Sequence, residues 1–65
     1  MKTDNVIEGL HVLRAYSRDP YAIGVESDDC LYFRVMYGEV RVADLRRLQH
    51  LGWFRHDNGY WATFL

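Results

Sequence analysis

The chain has a single cysteine, Cys30, so no internal disulfide can staple it. A reducing, cytoplasmic compartment is the expected setting. Long apolar runs are missing too. No stretch approaches the roughly 20 residues that a membrane span needs, and the N-terminus lacks the apolar block of a signal peptide. The chain is therefore expected to be the whole mature protein, working inside the cell and away from membranes. It also lacks a basic excess. Eight Lys and Arg stand against nine Asp and Glu, a formal net charge of −1, whereas general nucleic-acid binding calls for a positive surplus.

Catalytic patterns are equally scarce. His11, His50, His56 and Cys30 fall on four different predicted elements, without the close-spaced pairs of a zinc site. Cys30 and Ser17 have no base in a recognisable arrangement for nucleophilic attack. Gly24, Gly38, Gly52 and Gly59 each fall at a turn or strand position rather than in a phosphate-binding loop. No metal, no cofactor and no enzymatic activity are expected.

What remains is enough for one small fold. Sixty-five residues make a single domain, residues 1–65, and a chain of this size buries only about 60% of its unfolded surface. A hydrophobic content of 49%, with 15% aromatics, argues against disorder. The organising stretch is the last third, VADLRRLQHLGWFRHDNGYWATFL, from Val42 to Leu65. Its leucines, Leu45, Leu48 and Leu51, recur in threes after Val42 and predict an amphipathic helix. Asp44 sits in the first turn and Arg46, Arg47 and His50 toward the end, as the helix dipole favours. Gly52 is placed to end the helix in a left-handed conformation. Asn58-Gly59 then marks a hairpin turn. A two-residue turn there sets Asp57 opposite Tyr60, His56 opposite Trp61, Phe54 opposite Thr63 and Trp53 opposite Phe64. Both faces of this hairpin carry aromatics, so one face is core and the other extends the core or binds something.

Upstream, residues 1–16 read as a helix with Val6, Leu10 and Leu13 on one stripe, Ile7 and Tyr16 flanking it, and Thr3 or Asp4 as cap. Gly9 costs about 1 kcal/mol against alanine and points to a close approach by another element. The residue before Pro20 is pushed out of helical geometry, which ends the helix. Residues 21–37 read as a first hairpin. A three-residue loop, Ser27-Asp28-Asp29, pairs Val25 with Leu31, Ile23 with Phe33 and Tyr21 with Val35, giving one apolar face. It leaves Glu26 opposite Cys30 and Gly24 opposite Tyr32, with Asp29 in the left-handed position. The expected fold class is α+β, in the order helix–β-hairpin–helix–β-hairpin. An antiparallel sheet of about four strands carries helices on one face. Leu10, Leu13, Phe33, Leu45, Leu48, Leu51 and at least one of Trp53 and Trp61 should form the core.

Charge is unevenly spread. Residues 1–33 carry three basic groups against six acidic ones, a net of −3, and residues 34–65 carry five against three, a net of +2. Such a bipolar surface suits protein association. The acids Asp19, Glu26, Asp28, Asp29 and Glu39 have only Arg34 among them. An Asp-rich loop tip is ordinarily a solvated turn. Its alternative is an acidic partner-binding patch, anchored by Tyr32 on the exposed sheet face beside Gly24. Arg41, Arg46 and Arg47 next to an aromatic hairpin resemble part of a winged helix, with a solvated helix face as the ordinary explanation. The strands in the middle of the chain stand where a winged helix has further helices.

The phrase DLRRLQHLGWFRHDNGYWATF resembles the endings of many very small phage and mobile-element proteins. In those a Leu-rich helix runs into Leu-Gly-Trp and an aromatic hairpin. The likeness covers about a third of the chain and rests on structural residues. Arg41 stands where the family pattern often has a capping Ser or Thr. With the length and the absence of catalytic machinery, the chain looks like an anti-CRISPR protein directed at a type I system. That resemblance implies a monomeric, stoichiometric inhibitor in a bacterial host cell. Its partner would be a CRISPR surveillance complex, a larger nucleic-acid-handling protein, and it would compete with target DNA as a DNA mimic.

Overall fold

In a computed structural model, which describes residues 3–27 and 29–65, the first helix (α1) spans Thr3–Arg14. Leu13 is wholly buried and Val6 and Leu10 pack against the core, whereas Ile7 lies off the stripe and is about half exposed. The helix stops two residues before the expected Tyr16, in a turn where the Tyr16 N–H donates to the Leu13 carbonyl at 2.9 Å. Thr3 and Asp4 already belong to the helix, so Asp4 acts on its dipole rather than as a cap. Gly9 is where another element approaches. A Cβ there would overlap the indole of Trp53, whose Nε1 donates to the Asn5 carbonyl at 3.3 Å.

Strands β1 (Ile23–Ser27) and β2 (Cys30–Met36) form the first hairpin. Ile23 pairs with Phe33, Gly24 with Tyr32 and Val25 with Leu31, as the apolar pattern requires. Beyond Val25 a bulge absorbs one residue, and Ser27, not Glu26, pairs with Cys30. The expected left-handed conformation of Asp29 turns on the backbone of Asp28 and so lies outside the described residues. Tyr21 lies outside β1 and is 77% exposed instead of pairing with Val35. Ile23 and Val25, on the edge strand, are exposed as well.

A short 3-10 turn, Tyr37–Glu39, leads to α2 (Val42–His50). Arg41 stands at its N-cap and makes no side-chain cap bond. Tyr16 bridges the first turn instead, from the backbone of the cap residue to the third helical side chain. Its hydroxyl accepts the Arg41 N–H at 3.2 Å and donates to the Asp44 carboxylate. Leu48 is fully buried, Leu51 nearly so, and Leu45 packs at the margin. Gly52 has φ +92°, and the Trp53 N–H returns to the Leu48 carbonyl at 2.9 Å. Arg47 forms an ion pair with Glu8, tying α2 to α1.

The second hairpin joins β3 (Phe54–Arg55) and β4 (Tyr60–Phe64) with a register one residue from the expected one. Phe54 pairs with Ala62 and Arg55 with Trp61. The loop holds three residues. The His56 N–H donates to the Tyr60 carbonyl and the Gly59 N–H to the His56 carbonyl, both at 2.8 Å. Only Gly59 is left-handed, at φ +88°, and the Asn58 side chain accepts the Tyr60 N–H at 2.9 Å. A two-residue turn would need Asn58 left-handed as well, so the extra residue relieves it.

The sheet order is β1-β2-β4-β3, antiparallel throughout. The core lies between the helices and one sheet face, where Leu13, Phe33, Val35, Leu48, Trp53 and Trp61 meet. This is the α+β architecture that the sequence implies. No described helix is long and apolar enough to cross a membrane.

Candidate partner-binding surface

Alternation along β2 and β4 divides the side chains between two faces. Leu31 and Phe33, with Thr63 and Trp61 opposite them, point under the helices. Cys30, Tyr32 and Arg34 of β2 point the other way, with Tyr60, Ala62 and Phe64 of β4 and Phe54 of β3. None of these seven residues belongs to the core cluster that the described helices help to form.

Its side chains cover one another instead. The Tyr32 ring lies over Gly24, where any Cβ would overlap it, and stacks on Tyr60 at 6.1 Å and 11°. His56 lies 6.5 Å from Tyr32, and the Arg34 guanidinium carbon is 5.8 Å from the Tyr32 ring. Tyr32, first by hydrogen bonding and then by charge, raises the Arg34 pKa above its ordinary value. Phe54 and Phe64 meet at 5.0 Å. Ala62, between Tyr32 and Phe54 in the ladder, is wholly buried beneath these neighbours. Beside them runs a groove of about 300 Å³, bordered by Glu26, Cys30, Phe54, His56 and Phe64. Cys30 is buried in its floor. Burial, and then the charges of Asp29 and Glu26, push the thiol pKa above its ordinary value.

The acidic residues divide between the two ends of the first hairpin. Glu26 and Asp29 flank its turn, exposed, with the Asp29 carbonyl accepting the Leu65 N–H at 2.8 Å. Asp28 lies outside the described residues. Asp19 and Glu39 sit at the far end, beyond six steps of β2 that span about 20 Å. Both hold backbone there. Asp19 Oδ1 accepts the Tyr21 N–H and Glu39 Oε1 the Met36 N–H, each at 2.9 Å. The structure thus brings Glu26 and Asp29 to the Cys30 end of the Tyr32 face, sets Asp19 near enough to Arg34 at the other end for its charge to act there, and leaves Glu39 apart. The hairpin register already sets Arg34 opposite Ala22 on the face of Tyr32, and the Arg34 N–H to Ala22 carbonyl bond bears that out, but sequence reading missed Phe54, His56, Tyr60 and Phe64 as members of this face. The spacing of Tyr60, Ala62 and Phe64 carried the signal, but the slipped register hid its partners.

The alternative basic site is partly neutralised. Arg47 is paired with Glu8, and Arg41 lies beside Tyr16 and Asp44, which raise its pKa. Arg46 is exposed. Among the described residues no three His, Cys, Asp or Glu side chains gather as a metal site. In comparisons with known proteins, no family model, no curated protein and no solved structure matches the chain.

Proposed function

We propose that this is a small non-enzymatic binding protein that inhibits a larger nucleic-acid-handling protein. It acts through the helix-free sheet face centred on Tyr32. The observation that carries this reading is the stacked Tyr32–Tyr60 pair on an uncovered face, with Glu26 and Asp29 at its border. Aromatic side chains held rigidly on a sheet lose little entropy on contact and are the usual anchors of interfaces. Acids at the rim speed encounter with a basic groove and fix orientation. The resemblance of the C-terminal phrase supplies the partner: a type I CRISPR surveillance complex in a bacterial cytoplasm, with this chain competing against target DNA.

A competition assay tests the proposal. The purified protein should displace a labelled target duplex from the surveillance complex. Tyr32→Ala should weaken that displacement by about 2 kcal/mol, roughly thirtyfold in affinity. Glu26→Lys with Asp29→Lys should mainly slow association and reduce its salt dependence. Undiminished duplex binding at saturating protein would remove the proposed partner. Displacement unchanged by Tyr32→Ala would remove the proposed face.

A further inference from the structure

We propose that the free edge of β1 is a self-association site that pairs antiparallel with β1 of a second copy of this chain, centred on Gly24. The proposal does not depend on the inhibitor reading. β1 is an edge strand, with β2 on one side and no described strand on the other. Its sequence, Ile-Gly-Val-Glu-Ser, carries no lysine or proline to discourage pairing, and its bulge lies at one end.

The backbone pattern selects a register. The Arg34 N–H donates to the Ala22 carbonyl at 2.8 Å, and hydrogen-bonded pairs alternate along an antiparallel ladder. Gly24 therefore bonds inward to Tyr32, while the N–H and C=O groups of Ile23 and Val25 point outward. These same two residues expose their side chains, by 51% and 62%. Centring the dyad on Gly24 sets Ile23 of each copy opposite Val25 of the other and joins every outward group of the two residues. The contact is self-complementary, as a two-fold interface must be.

Two further features fit this occupant. A cleft of about 380 Å³ opens beside Ile23, lined by Leu10, Ala22 and Phe33 together with His11, Arg14 and Asp19. The apolar Val25 of the second copy would lie against it. On the other face, Glu26 of each copy falls opposite residue 22 of the other, one strand short of its exposed Arg34. Two strand spacings are about 10 Å, a gap that a glutamate and an arginine can close. The dyad stands perpendicular to the resulting eight-stranded sheet, so both Tyr32–Tyr60 faces lie on the same side.

Sedimentation equilibrium on the intact 65-residue protein tests this. A reversible monomer–dimer equilibrium is expected below about 1 mM. Val25→Lys should raise its dissociation constant at least about tenfold. Val25 is well exposed, so the variant should keep the parent's circular dichroism and melting temperature. Ile23→Lys provides a second variant should Val25→Lys not fold. A chain that stays monomeric to about 1 mM, or a dimer indifferent to both lysines, overturns the proposal.

Discussion

At the scale of single residues, two positions are set by what stands beside them. In the middle of α1, glycine is about 1 kcal/mol worse than alanine by propensity alone. At Gly9 the neighbour outweighs propensity, because a methyl group would overlap the indole of Trp53, which is only 2% exposed. Gly9→Ala should therefore destabilise by about 1–3 kcal/mol. A urea melt showing a gain would mean that the Trp53 ring moves freely. Cys30 is the second case. Its thiol pKa lies above the ordinary 9.0, because burial and then Asp29 and Glu26 disfavour the thiolate. The unfolded chain thus loses this proton first as pH rises. The stabilising contribution of the neutral thiol is complete below about pH 9 and is lost as pH climbs through the higher folded pKa. The parent should lose more stability between pH 8 and pH 10 than Cys30→Ala, as urea midpoints at both values would show. Equal losses would mean that the thiol is not perturbed.

At the scale of elements, α2 depends on a side chain from elsewhere. Its N-cap residue, Arg41, offers nothing, and the Tyr16 hydroxyl bridges the Arg41 N–H and Asp44. Tyr16→Phe should cost about 0.5–2 kcal/mol, comparable to removing a conventional cap. Amide exchange across Val42–Leu45 should quicken, and unchanged exchange would assign the capping to water. Leu48, wholly buried, should cost about 2–5 kcal/mol when cut to alanine. In so small a domain each kcal/mol lowers the melting temperature by about 4–8 °C, so a shift of only a degree or two would contradict the packing. The elements themselves were legible in the sequence: the leucine spacing of α2, the stop at Gly52 and most of the first hairpin's register. The hairpin ends were not. Asn58-Gly59 serves a two-residue turn and a three-residue loop alike, and the choice depends on whether Asn58 must turn left-handed. At the other hairpin a bulge near Glu26 did what the loop alone was expected to do. Such one-residue adjustments leave no mark on apolar periodicity.

At the scale of the whole molecule, strand order decides which surfaces are available, and short sequence patterns do not encode it. The order β1-β2-β4-β3 puts the two hairpins side by side through β2 and β4. That juxtaposition stacks Tyr32 on Tyr60, strips cover from Ile23 and Val25, and leaves one sheet face without helices. It also separates acids that look clustered along the chain, keeping Glu26 and Asp29 near the aromatic face while Asp19 and Glu39 bind backbone at the far end. The central claim is that this face, rather than the arginine side of α2, meets the partner. Methyl and amide NMR shifts of the labelled protein, titrated with the surveillance complex or a fragment of it, test that claim directly. The largest changes should fall on Cys30, Tyr32, Arg34, Tyr60 and Phe64, with α2 unaffected. Changes concentrated at Arg41, Arg46 and Arg47, with the Tyr32 face silent, would contradict it.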